Sequence, residues 1–153
     1  RKWSKDKSWK QMWTKLLSLH KTTLDMSSVQ LDGSHTPAKR GGEAVAYQHR
    51  KKAKTTNALF LTDKKGIPLV MSEPIEGNHH DLFLIEFFFL KMLTDLEQSQ
   101  IKTNGLFLNA DAGFDSEEFR KICFAKDIIA NIDFNKRNSK DSDNQQLLDD
   151  FLY

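Results

Sequence analysis

The chain has 153 residues, 39% of them hydrophobic, which suits one domain with a core of ordinary size. Its 23 Lys and Arg stand against 21 Asp and Glu, so net charge alone gives no argument for a nucleic-acid partner. A single cysteine, Cys123, excludes an internal disulfide and a cysteine zinc cluster, and no signal peptide is visible, so a reducing cytoplasm is the expected setting.

Residues 7–20, KSWKQMWTKLLSLH, set Trp9, Met12, Trp13, Leu16 and Leu17 at helical spacing and predict an amphipathic helix. Trp9 and Trp13 at i, i+4 then serve packing rather than base stacking, because the other three continue the apolar stripe. In MSSVQLDGS, residues 26–34, Val29 and Leu31 alternate with Ser28, Gln30 and Asp32 and stop at Gly33. That predicts a strand whose last side chain is a carboxylate. Residues 35–54, HTPAKRGGEAVAYQHRKKAK, hold Pro37, Gly41 and Gly42 without a sustained period and are expected as a loop. This loop is one-sided in charge. Lys39, Arg40, Arg50, Lys51, Lys52 and Lys54 face the single acid Glu43, whereas residues 141–150 hold four Asp and no base.

The β-prone runs KTTNALFLT (54–62) and IPLVMSEPI (67–75) are joined by DKKG, whose Asp63 and Gly66 supply turn chemistry, so an antiparallel hairpin is expected. From His80, HDLFLIEFFFLKMLTDLEQSQ continues without Gly or Pro for about six turns and predicts a helix packed on a sheet, with Asn78 or Asp81 as its cap. Its apolar run LFLIEFFFL is too short to span a membrane and carries Glu86. GLFLNAD reads as a strand, DSEEFRKICFAKD as a helix opened by Asp115 and Ser116 with Cys123 buried in it, and DIIANID as a further strand. NKRNSKDSDNQQ reads as a polar link. The order βββαβαβ implies an α/β fold with a mixed five-stranded sheet flanked by helices, preceded by the N-terminal helix. Three segments are expected: helix and linker over 1–25, the core over 26–135, and a polar link with a C-terminal segment over 136–153.

In such a sheet the first strand sits centrally, between its hairpin partners and the later parallel strands. A ligand site is expected at that switch point, off the carboxyl ends of the strands carrying Asp32 and Asp111. Paired strands lie ~4.8 Å apart, so the two carboxylates are placed to share Mg²⁺ or Mn²⁺, hard cations that favour carboxylate oxygen. Each residue also has a plainer reading: Asp32 before Gly33 shapes a turn, and Asp111 before Ala-Gly caps a loop. His20, His35 and His79 show no ligand spacing and read as surface residues.

LDGSHTPAKRGGEAVAYQHRKKAKTTNALFLTDKKGIPLVMSEPIEGNHHD, followed by LNADAGFDSEEFR, resembles the catalytic core of the DDE transposases of bacterial insertion sequences over residues 26 to about 138. The resemblance implies a ribonuclease H-like fold, with Asp32 as the first catalytic acid, bridging two metal ions, and Asp111 as the second. It implies hydrolysis at transposon ends and strand transfer into double-stranded target DNA, by a homodimer when full length. The family's third acid is a Glu on a helix after the last strand, and here no Glu follows Glu118. The chain is therefore expected to be an inactive fragment, with Asp149 or Asp150 as weak substitutes. The family's basic element appears as QHRKKAKTT, with His49 in place of the usual Gly, and the six basic residues named above are the expected DNA contacts. His80 and Asp81 match the family's HD pair and imply a supporting role near the site. Two alternatives stay open: a catalytically dead DNA-binding remnant, and a ribonuclease H-like repair or recombination nuclease.

Overall fold

The computed structural model describes residues 6–135 and Asp149. Helix α1 is Ser8–His20, and the strands that follow are β1 (Val29–Pro37), β2 (Ala46–Gln48), β3 (Ala53–Asp63), β4 (Pro68–Met71) and β5 (Ile75–Glu76). Then come α2 (Ile85–Gln98), β6 (Phe107–Ala110), α3 (Glu117–Ala125) and β7 (Ile129–Ile132). Among the described residues the sheet has seven strands rather than the expected five, in the order β2-β3-β1-β6-β7, with β4 and β5 also paired to β3.

Two corrections lie in the segment expected to be a loop. β1 does not stop at Gly33 but runs to Pro37, paired antiparallel with β3 over all nine of its residues, from Val29↔Asp63 to Pro37↔Thr55. The AYQ tripeptide forms β2 on the outer edge of β3, with His49, Arg50, Lys51 and Lys52 making the connecting turn. Three residues are too few to display a period, so pairing with β3 and not local pattern makes this a strand. The run 67–75 likewise divides into β4 and β5, which follow β2 along that same edge. The hairpin turn into β4 is held by buried Asp63, whose Oδ1 accepts the N–H groups of Lys65 (3.0 Å) and Ile67 (2.8 Å).

A third correction concerns α2. It spans four turns, not six, and begins after Leu84, which adopts a left-handed conformation (φ 51°) and makes no side-chain cap; neither Asn78 nor Asp81 caps it. In α3 the expected cap is present, with Ser116 Oγ accepting the Phe119 N–H (3.1 Å). Asp115 has a different task, described below.

Alternation puts Val29 and Leu31 of β1, Leu59 and Leu61 of β3, Leu108 and Ala110 of β6 and Ile132 of β7 into one buried layer. All three helices contribute to that layer, α1 through Leu17, α2 through Phe88, Phe89, Met92, Leu93 and Leu96, and α3 through Phe119 and Cys123. Phe89 and Phe119 meet edge to face at 5.0 Å, an arrangement aromatic quadrupoles favour. α1 is fastened at Trp13, whose indole N–H donates to the Leu69 carbonyl (2.8 Å), so packing is its role; Trp9 is 54% exposed. Burial pushes the Cys123 thiol up to about 12. Among the described residues no helix is long and apolar enough to cross a membrane. Of the expected C-terminal segment only Asp149 is among the described residues; Asp150 and the polar link from 136 lie outside them.

Candidate active site

β1 pairs antiparallel with β3 on one side and parallel with β6 on the other, so the sheet changes direction at β1. The parallel register is Gln30↔Asn109 and Leu31↔Ala110, and it places Asp32 and Asp111 next, side by side where the parallel ladder ends. β7 repeats the pattern one strand further out, with Asn109↔Asn131 and Ala110↔Ile132, followed by Asp133. The three strands thus carry the same tripeptide in register: an amide, an apolar residue and an aspartate, as Gln30-Leu31-Asp32, Asn109-Ala110-Asp111 and Asn131-Ile132-Asp133. Asp133 was missed by reading each strand alone. Comparing the three amide-apolar-aspartate triplets would have found it.

The apolar members of these tripeptides face the helices, and the amides face the other way. Asn131 Nδ2 donates to Asn109 Oδ1 (2.8 Å), and both side chains are buried. Asn131 also grips Asp149, donating to its carbonyl (3.1 Å) and accepting its N–H (2.8 Å). Asp149 therefore reaches the face from which Asp32 and Asp111 project.

The three aspartates are exposed and so escape the cost of desolvation. Each is oriented by one oxygen: Asp32 Oδ1 accepts the Gly33 N–H (2.8 Å), Asp111 Oδ1 the Gly113 N–H (2.8 Å) and Asp133 Oδ1 the Phe134 N–H (2.7 Å). Asp111 thereby caps the short 3₁₀ turn Ala112–Phe114, so the plainer reading of this residue is also realised. Behind that turn, buried Asp115 accepts Arg120 Nε (2.8 Å) and the Asn135 N–H (2.9 Å), while Arg120 Nη2 donates to the Ile132 carbonyl (2.9 Å). This clasp ties the Asp111 turn to the strand end that bears Asp133.

On the opposite side of β1, Asp81 lies against Gly33. A Cβ at position 33 would overlap the Asp81 carboxylate, so the Gly is required by this close approach rather than by a turn. Asp81 Oδ1 accepts from Asn57 Nδ2 (2.9 Å), and the buried Asn57 Oδ1 has no partner among the described residues. His80 is exposed. His79 stacks on Phe83 at 3.7 Å, and His35 Nδ1 lies 3.4 Å from Thr55 Oγ1, so neither is a plain surface residue.

The six basic residues gather at the far end of the β1–β3 ribbon. Arg50, Lys51 and Lys52 form the β2–β3 turn, Lys54 follows in β3, and Lys39 and Arg40 come after Ala38, whose N–H donates to the Lys54 carbonyl (2.9 Å). For a divalent cation the donor chemistry fits: Asp32 and Asp111 are hard, exposed carboxylates at adjacent register positions. Among the described residues no group of three or more His, Cys, Asp or Glu side chains is placed to hold a metal ion.

A family model described as DDE superfamily endonuclease matches residues 29–150, which takes in every element from β1 to β7 and Asp149. No curated protein and no solved structure matches the chain.

Proposed function

The chain belongs to the DDE superfamily endonuclease family, and from that premise we propose that it is a transposase core of a bacterial insertion sequence with a ribonuclease H-like fold. Its substrate on this reading is double-stranded DNA at transposon ends and at a target. The observation that carries the proposal is the register of β1 and β6, which sets Asp32 beside Asp111 at the sheet's change of direction. Bound Mg²⁺ or Mn²⁺ would lower the pKa of an attacking water and neutralise charge on the phosphate. Asp32, on the central strand, and Asp111 are the carboxylates that would hold the cation. Gly33 and Gly113 N–H groups hold both side chains in place. The clasp of Asp115 and Arg120 keeps the Asp111 turn fixed against β7. Asp81 buttresses β1 from behind, which is the supporting role assigned to the HD pair, and the basic ribbon end neutralises phosphates without reading sequence.

Strand transfer, dimerisation of the full-length protein and a cytoplasmic location complete the reading. The absence of a three-acid group among the described residues favours a second reading for this chain itself, a DNA-binding core with little or no turnover. The test is Mn²⁺ calorimetry at low salt on the chain, Asp32→Asn and Asp111→Asn, with nicking of a labelled duplex measured alongside. Binding by the parent chain and its loss in both variants supports the metal site, and nicking then separates enzyme from inactive core. Unchanged binding in either variant would end the assignment.

A further inference from the structure

Paired residues in an antiparallel ladder project to the same face, so the register fixes what lies on each side of the ribbon. Asp32, Ser34 and Thr36 of β1 share a face with Phe60, Ala58, Thr56 and Lys54 of β3, and Tyr47 of β2, paired with Lys54, joins them. The reverse face is covered: Thr55 and Asn57 are buried there, Asp81 lies on Gly33, and Gln48 Nε2 donates to the Gly77 carbonyl (3.0 Å). The Asp32 face is open along β1, while on its β3 side Ala58 is buried and Thr56 Oγ1 donates to the Ala44 carbonyl (2.6 Å). Ser34, Thr36 and Lys54 are exposed, and between the carboxylate end and the basic end stand only small side chains. From the Phe60 row to the Lys54 row is six residues of β3, about 20 Å at ~3.4 Å per residue.

At the far end Tyr47 is 47% exposed, and its ring meets His49 edge on, with centroids 5.2 Å apart and planes at 87°. Tyr47 is thus braced by His49 and stays half exposed beside Arg50, Lys51, Lys52 and Lys54. An exposed ring within a cationic patch matches a nucleotide, which offers a π-face and a phosphate together. We propose that one DNA strand runs along the Asp32 face of the β1–β3 ribbon, over Ser34 and Thr36, and that Tyr47 stacks on an unpaired base. At ~3.4 Å per nucleotide of a B-form strand, that base lies about six steps from the phosphate at Asp32 and Asp111. This rests on the endonuclease reading and adds to it a path and a stacking residue.

The test is fluorescence anisotropy of a labelled duplex with a ten-nucleotide single-stranded overhang, binding to the full chain without divalent metal, so that cleavage plays no part. A 2-aminopurine moved along the overhang reports stacking. Tyr47→Ala is expected to weaken binding about tenfold and to abolish the 2-aminopurine quench, with Tyr47→Phe restoring both. Thr36→Glu, an exposed strand position midway along the path, is expected to weaken binding about tenfold, and Lys121→Glu on α3 to leave it unchanged. Should Tyr47→Ala and Thr36→Glu bind as the parent does while alanines at Lys51 and Lys52 lose affinity, the path is wrong and the DNA reading survives. Failure of the parent chain itself to bind overturns both.

Discussion

The two faces of the sheet are built from the same strands and follow opposite rules. On the helix-covered face, Leu31, Leu61, Leu108 and Ala110 are buried against α2 and α3, and shape is what matters. On the other face Asp32 and Asp111 are exposed, and each aspartate follows a buried apolar neighbour by one residue. A strand offers this separation without extra structure, because alternate side chains point apart. The contrast teaches that changes on one face should act on stability and changes on the other on binding.

The sharpest way to break that contrast is Phe89→Ala, which removes a fully buried ring from the covered face. It is expected to cost about 3–5 kcal/mol in urea unfolding. Gly33→Ala tests the one place where the two faces are linked through the backbone. Its methyl group would displace Asp81, costing about 1–3 kcal/mol and weakening Mn²⁺ binding, and Asp81→Ala in the same chain should recover much of the stability. At Cys123 the effect is confined to alkaline pH. Its thiol titrates higher folded than its ordinary value of 9.0, so the unfolded chain loses that proton first. Stability should then fall between about pH 9 and 12, be unaffected by this group below that window, and fall less steeply in Cys123→Ala. The smallest effect on stability belongs to Asp32→Asn and Asp111→Asn, within about 0.5 kcal/mol at these exposed sites, although Mn²⁺ binding is lost. A large unfolding shift in either would show that the open face also bears structural load.

Elements with enough length to show a period were legible in the sequence: the apolar stripe of α1, the alternation of β1, the capped α3 and the two-strand turn at Asp63. The approach of Asp32 to Asp111 was legible only as an expectation, with the first strand placed at the centre of the sheet; the register of β1 and β6 sets them next to one another. What local pattern did not carry was set by tertiary contact. β2 exists because β3 offers an edge, and α2 starts late because Leu84 turns left-handed. The repeated amide, apolar residue and aspartate were visible in the sequence, but their alignment at Asp133 depends on register across three strands. Gly33 was read as a strand end when it is a contact point for Asp81, a residue 48 positions away.

The register of β1 also has a consequence in time. Its antiparallel partner β3 lies close in the chain, with Pro37 paired to Thr55, whereas its parallel partner is distant, with Val29 paired to Leu108. Closing the longer loop costs more entropy and comes later, after the nearer ladder has formed. The basic ribbon end should therefore be in place while Asp32 still lacks its neighbour. Truncating Leu108 to Ala should accelerate unfolding and leave the refolding rate nearly unchanged. On this order the acid pair is expected to be the last part of the sheet to assemble, after the ribbon end that carries the basic residues.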